Sequence, residues 1–405
     1  MSTGKHALVF GASGISGWGV VNEILKGYPS RNTFSRVSAV TNRPLSREAS
    51  QWPEDPRLFI ASGIDVLKGS QQDLETTLKA QIPEIETVTQ FFFSVSSSWI
   101  HWFGGELTSS VAYKFCGERV EESKINTDMI DRCVRAIEKL SPVLEHVILP
   151  SGTKWYGVHM MPFPNEDNLP LRESHPRIPE PDRSHLFYYH QHDKLNTLSE
   201  GKSWSWSNVR PDVIIGFVPN NNTYCIVQSM GVYLSLYAYV EGRGAKIAFP
   251  GTEKSYRNLC NDSSQDIVAR FSIHTALGGQ STNRRAFNVA DNRLPTPWAY
   301  RWPVICEFFG LKGTGPEEGS PQPGPYIANH KEQWQEMVKK FGLKDGHLEN
   351  DITSPVFLDF CTTIMDFDRQ LDLSEQRSTG FTEETDTKDA WWTALEKFRA
   401  AKVIA

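Results

Sequence analysis

Several things this 405-residue chain does not contain bound what it can be. Its six cysteines (Cys116, Cys133, Cys225, Cys260, Cys306 and Cys361) include no CxxC pair and no His/Cys spacing of the zinc-binding kind. A structural zinc module and a disulfide scaffold are therefore excluded, no metal site is expected, and the thiols read as reduced and mostly buried. No segment approaches the roughly 20 apolar residues needed to span a bilayer, and no basic flank leads into an apolar run, so a cytoplasmic location is expected. Positive charge is not in excess either, with a formal net charge of −6. That argues against a nucleic-acid groove or an anionic membrane as the main partner. No internal repeat or low-complexity tract is present. A small soluble substrate is the natural partner left.

What is present, through the first half, is an alternation of apolar β-rich runs with runs of helical period. This is the pattern of a parallel sheet with crossover helices. Strands are expected at His6–Phe10, Arg36–Thr41, Leu58–Ala61, Val88–Val95 and His146–Leu149, and a helix over Ser16–Lys26. Within Trp204–Ile215, which Arg210-Pro211 interrupts, the run Val213-Ile214-Ile215 reads as one more strand of the sheet. Six prolines between Met160 and Arg183 rule out a long helix or central strand there. After Gly216 the chain reads as mainly helical, around Ile267–Leu277, Trp334–Phe341 and Trp391–Phe398. The expected fold is α/β: a Rossmann-type doubly wound parallel sheet in residues 1–215, followed by a smaller, mainly helical substrate lobe in residues 216–405.

The first strand runs straight into Gly11-Ala12-Ser13-Gly14-Ile15-Ser16-Gly17. Glycines at this spacing permit a tight turn and let backbone approach a pyrophosphate, and the helix N-terminus adds N–H groups and partial positive charge. Gly11, Ser13, Gly14, Ile15, Ser16 and Gly17 are the candidate phosphate-binding residues. The end of the second strand separates the two nicotinamide cofactors, since NAD needs a carboxylate for its ribose and NADP a cation for its 2′-phosphate. Here Val40-Thr41-Asn42-Arg43 offers no acid, and Arg43 can pair with a phosphate, which points to NADPH. Asp65 and Val66, after the third strand, stand where the adenine amino group is expected.

Beyond the cofactor loop, three strings resemble the atypical short-chain reductases of the progesterone 5β-reductase and iridoid synthase family. They are Ser151-Gly152-Thr153-Lys154-Trp155-Tyr156-Gly157, Phe187-Tyr188-Tyr189-His190-Gln191-His192-Asp193 and Arg210-Pro211-Asp212-Val213-Ile214-Ile215-Gly216-Phe217. The resemblance runs from Ala7 almost to the end of the chain. It implies that Lys154 and Tyr188 are the catalytic pair, in place of the Tyr-x-x-x-Lys of ordinary short-chain dehydrogenases. Read in that ordinary pattern, Tyr189 would find Asp193 where a lysine belongs. Ser96, Ile214 and Tyr188 complete the expected cofactor contacts, together with Asn42, which stands where the family usually has the first of two arginines. The Rossmann domain is expected to carry insertions at about 97–118, where the family has a short loop, and at the proline-rich 159–184.

In that family the pair serves 1,4-reduction of an enone or enal, where hydride reaches the β-carbon and charge develops on the carbonyl oxygen. A tyrosine hydroxyl can donate to that oxygen and an ammonium can stabilise the charge. The expected activity is therefore NADPH-dependent reduction of the C=C bond of an apolar α,β-unsaturated carbonyl compound. Alternatives are 1,2-reduction of a carbonyl or imine, a non-catalytic NADP-binding sensor or scaffold, and a non-redox role such as guiding a cyclisation. A homodimer is one assembly open to the chain. Trp99, Trp102, Phe103, Trp155, Tyr156 and Phe163 are expected to wall an apolar pocket, with core packing as the competing reading. His185, His190 and His192 do not share one helical face, so they make a poor metal site.

Overall fold

In the computed structural model, residues 4–94, 119–219, 222, 224–344 and 356–405 are described. Seven strands build one wholly parallel sheet: β1 (Lys5–Phe10), β2 (Phe34–Thr41), β3 (Leu58–Ser62), β4 (Gln90–Phe93), β5 (His146–Pro150), β6 (Ser205–Pro211) and β7 (Arg285–Val289). Their order across the sheet is β7-β6-β5-β4-β1-β2-β3. Chain order therefore reverses between β1 and β4, and a ligand crevice is expected at the carboxyl ends of those strands.

Both faces of the sheet are covered, which is why the strands read as unbroken apolar runs rather than as alternations. Successive β1 residues point to opposite faces: Ala7 and Val9 enter one core, Leu8 and Phe10 the other. The longer helices are α1 (Ile15–Lys26), α2 (Gln71–Gln81), α3 (Arg119–Leu140), α4 (Phe187–Leu198), α5 (Ile226–Glu241), α6 (Gln265–Leu277), α7 (Trp298–Phe308), α8 (Lys331–Phe341) and α9 (Thr387–Ala400). Their ends follow local chemistry. Gly27 closes α1 at φ 95°, a left-handed geometry that glycine adopts without a Cβ penalty. Ser70 and Asp73 form a reciprocal capping box at the start of α2.

Two expectations about the sheet are corrected. The strand in Trp204–Ile215 is Ser205–Pro211, whereas Ile214–Ile215 leaves the sheet and pairs with Ser263–Ser264. An apolar run was the wrong guide because β6 is buried along its whole length with polar side chains that have partners inside. Asn208 donates through Nδ2 to the Leu149 carbonyl at 2.9 Å, and the Arg210 guanidinium lies 3.6 Å from the centre of the Trp155 ring. The seventh strand, Arg285–Val289, comes from the half expected to be mainly helical. That strand and α6 mean the Rossmann layers draw on residues from both sides of position 216.

One side chain joins these parts. Gln265, at the start of α6 and 2% exposed, donates through Nε2 to the carbonyls of Ile15 at 2.6 Å and Phe217 at 2.7 Å. Its Oε1 accepts from the Phe217 N–H at 3.0 Å. Two glycines make room for it: a Cβ on Gly216 would lie 2.5 Å from the Gln265 Cβ, and one on Gly19 2.7 Å from its Cγ. Among the described residues no helix is long and apolar enough to cross a membrane. Replacing Gln265 by Leu removes three hydrogen bonds and strands buried backbone groups, an expected loss of about 3 kcal/mol. A lower urea midpoint and a lower melting temperature are the readouts.

Candidate active site

The glycine loop forms a cradle at the end of β1. Gly11 adopts φ 71°, and the Gly14 N–H donates to its carbonyl at 2.9 Å. Gly17 must be glycine, since a Cβ there would stand 2.4 Å from the Gly11 oxygen. Gly14 caps α1 with no side-chain hydrogen bond, and the first turn holds no acidic residue. The amides of Ile15, Ser16 and Gly17 thus open an α-helix whose positive end no carboxylate of that turn neutralises. An anion such as a pyrophosphate suits that end.

Asn42 and Arg43 follow β2, both half-buried. Burial lowers the Arg43 pKa from the usual arginine value, and among the described residues no carboxylate offsets this. A dianion beside it would. Asp65 is exposed and its Oδ1 accepts from the Leu67 N–H at 3.0 Å, a turn interaction, while Val66 is buried. Ser96 lies outside the described residues, as do Trp99, Trp102 and Phe103.

A cleft of about 900 Å³, partly open to solvent, lies where the carboxyl ends of β4, β5 and β6 meet the start of α1. Ile15, Ser16, Lys154, Tyr188 and Ile214 all line it. The structure therefore brings together residues that lie up to about 200 positions apart in the chain, on four different segments.

The local packing explains which side chains reach the cleft. After β5 the chain makes a 3-10 turn, Thr153–Tyr156. Trp155 and Tyr156 turn inward: Trp155 is wedged between the Arg210 guanidinium and the Tyr189 ring, whose centroid is 4.5 Å away. The Tyr156 hydroxyl donates to Asn288 Oδ1 at 2.6 Å. Lys154 is left at the cleft. Similarly, Tyr189 is 1% exposed and its hydroxyl donates to the Trp155 carbonyl at 2.5 Å while accepting from the Ile178 N–H at 3.0 Å. It is committed to structure, and its neighbour Tyr188 faces the cleft. The Tyr188 hydroxyl sits 3.9 Å from the point that a Cβ on Gly152 would occupy, so it overhangs the same turn that carries Lys154.

A buried ion pair that no local sequence pattern announces holds this turn. Asp212, just after β6, accepts from Thr153 Oγ1 at 2.8 Å and from Arg369 Nε at 2.7 Å. Both members of the Asp212–Arg369 pair are 3% exposed. Arg369 thereby ties the C-terminal part of the chain to the residue preceding Lys154. The only hint in sequence was that Asp212 and Thr153 sit inside the family-like strings.

The expected aromatic wall needs correction. Trp155, Tyr156 and Phe163 are 4%, 0% and 5% exposed and belong to the core, where Phe163 stacks on Phe367 at 4.5 Å. The cleft is walled instead by Tyr224, Phe357, Phe360 and Met365, all from beyond residue 216. His192 lies between Trp155 and Trp206, and burial depresses its pKa to about 4. Among the described residues no cluster of histidine, cysteine or acidic side chains could hold a metal, and the five described cysteines are free and buried.

Residues 7–405 match the family described as the PRISE-like Rossmann-fold domain. The chain belongs to this family. It is 35% identical to short chain dehydrogenase ausT of Aspergillus calidoustus, with 99% of this chain and 94% of that protein covered. It is 26% identical to the 3-oxo-Delta(4,5)-steroid 5-beta-reductase of Arabidopsis thaliana, with 98% and 92% covered. Among solved structures, UDP-N-acetylglucosamine 4-epimerase of Methanobrevibacter ruminantium M1 superposes with a TM-score of 0.60 at 14% identity, covering 98% of this chain and 99% of that one. That likeness speaks to the fold alone. This PRISE-like protein is an oxidoreductase of the short-chain dehydrogenase/reductase class.

Lys154 carries a measurable signature. Burial strips water from its ammonium and lowers its pKa to about 7, with Glu122 of α3 opposing the shift through its charge. A lysine whose native pKa lies below its unfolded value near 10.4 costs the fold stability. The cost is full below about pH 7 and vanishes as pH rises through the unfolded value. Lys154→Met is therefore expected to raise the melting temperature at pH 6, with the gain shrinking by pH 10. A variant no more stable than the parent at pH 6 would contradict this.

Proposed function

We propose that this PRISE-like protein uses NADPH to reduce the C=C bond of an α,β-unsaturated carbonyl compound. The observation that carries the reading is that Lys154 and Tyr188 line one cleft with Ile15 and Ser16 at the glycine cradle. Gly11, Ser13, Gly14, Ile15, Ser16 and Gly17 would hold the pyrophosphate, and Asn42 and Arg43 the 2′-phosphate. Asp65 and Val66 would meet the adenine, and Ser96 and Ile214 would complete the contacts along the dinucleotide. NADPH bound there supplies a hydride. The remaining chemistry falls to the chain's own side chains.

The Tyr188 hydroxyl donates a hydrogen bond to the substrate's carbonyl oxygen, and that bond strengthens as hydride addition at the β-carbon turns the oxygen into an enolate. The Lys154 ammonium adds positive charge at the same end of the cleft, where the low dielectric makes it count for more than in water. Gly152 keeps the space under the tyrosine hydroxyl open. The name of the Arabidopsis relative specifies reduction of a 3-oxo-Δ4,5-steroid, which is an enone, and this supports 1,4- over 1,2-reduction.

Tyr188→Phe is expected to lower kcat about 10²- to 10³-fold with a simple enone. Because the charged form of Lys154 is the active one, kcat/KM should fall as pH rises through about 7, and Lys154→Arg should extend the plateau upward. Protonation of the enolate at its α-carbon by solvent water completes the reduction, and the product should be a saturated carbonyl compound. Recovery of an allylic alcohol would overturn the 1,4 assignment, and turnover unchanged in Tyr188→Phe would overturn its role.

Arg43 makes a separate prediction. Arg43→Gln removes the charge assigned to the 2′-phosphate, so KM for NADPH should rise about tenfold or more while that for NADH stays nearly constant. Equal effects on both cofactors would show that Arg43 does not select between them.

A further inference from the structure

Side chains from several parts of the chain close the cleft. Those from the strand ends and α4 mix polar groups, among them Ser94, Thr153, Lys154 and Tyr188, with the aliphatic Val213 and Ile214. Those from beyond residue 216 are aromatic or sulfur-bearing: Tyr224, Phe357, Phe360 and Met365. Three of these four are rings, and they form a continuous array. The Tyr224 and Phe357 centroids are 5.4 Å apart at 74°, an edge-to-face contact. Phe357 and Phe360 are 6.4 Å apart and inclined by only 16°. Both separations lie in the range over which paired rings attract beyond the effect of buried area. Phe357 belongs to both contacts. Tyr224 and Phe357 are half-buried, whereas Phe360 is 6% exposed, so Phe357 is the ring that both joins the array and keeps surface for a ligand.

We infer that the substrate of this cleft carries an aromatic ring next to its reactive carbonyl unit and sets that ring against Phe357 in the Tyr224–Phe357–Phe360 array. The inference rests on the reduction proposed above. A wall of leucine and valine would hold an alkyl group equally well. A ring array instead favours a further ring, which can lie edge-on or offset against it, and the Met365 thioether adds a favourable contact with an aromatic edge. In an aryl enone the ring is also conjugated with the C=C bond. The molecule is therefore flat and stiff, so placing its ring on Phe357 restricts where its carbonyl can lie relative to Tyr188 and Lys154. Little rotational freedom is lost on binding such a ligand.

The test is calorimetric titration of the full chain loaded with NADP+, which cannot reduce the ligand, using trans-4-phenylbut-3-en-2-one and trans-4-cyclohexylbut-3-en-2-one. The two share one enone. The cyclohexyl compound is slightly the more hydrophobic, so area alone predicts that it binds at least as tightly. The inference predicts that the phenyl compound binds about two- to tenfold more tightly, and that Phe357→Leu brings the ratio to one or below. NADP+ affinity, compared between parent and variant, shows that the variant is folded. Equal affinities in the parent, a preference that survives Phe357→Leu, or binding of neither compound would each overturn the inference. The two readings fail separately. A phenyl preference without NADPH oxidation would leave the aromatic array standing and sink the reductase assignment, and turnover of both compounds without a preference would do the reverse.

Discussion

The clasp made by Gln265 is the constraint on which the rest of the structure depends. The amide reaches from α6 to the carbonyl of Ile15, the residue that opens α1, and to the backbone on either side of Phe217 as the chain leaves the sheet. The Arg270–Glu23 and Lys26–Asp266 pairs join the same two helices farther along α1, whereas at its first residue the clasp adds a directional contact that apolar packing does not provide. Gly19 and Gly216 give up their side chains to let the clasp form. The contact spans 250 residues of sequence and joins the N-terminal cradle directly to the C-terminal half.

The site itself follows a division of labour between adjacent residues. Trp155, Tyr156 and Tyr189 are buried, the two tyrosines hydrogen-bonded and the Trp155 ring held between Arg210 and Tyr189, and this immobility presents Lys154 and Tyr188 to the cleft. The buried Asp212–Arg369 pair works in the same direction. Its members are costly to bury singly, and together they tie the turn at Thr153 to the C-terminal part of the chain. The scaffold that holds the site is thus stable, while Lys154 is held in surroundings that disfavour its charge. Such perturbed groups cluster where chemistry is done, and the fold as a whole carries the cost.

How far the sequence could be read depended on whether a feature is local. The first five strands, the cofactor helix and α6, α8 and α9 were legible because periodicity is a property of a few consecutive residues. Strand β6 was misplaced by a few residues because Ser207, Asn208 and Arg210 look unsuitable for an interior. They are buried there because His146, Leu149, Ser151, Trp155 and Tyr156 supply partners from other segments. The seventh strand, Arg285–Val289, is short and half polar, and nothing in its own residues marks it as the edge of a sheet.

The pocket wall shows the same limit from the other side. Trp155 and Phe163 look like pocket aromatics because they neighbour the predicted site in sequence, yet they pack into the core. Phe357 and Phe360 reach the cleft from some 200 residues away. By itself the sequence determined the glycine turn that opens α1 and the first five strands of the parallel sheet, since each follows from residues close together in the chain. Only the tertiary structure decided which partners bury Tyr189, which charges are paired and which aromatic rings line the pocket. Those outcomes depend on burial and on partners across space, and a linear order of residues contains neither.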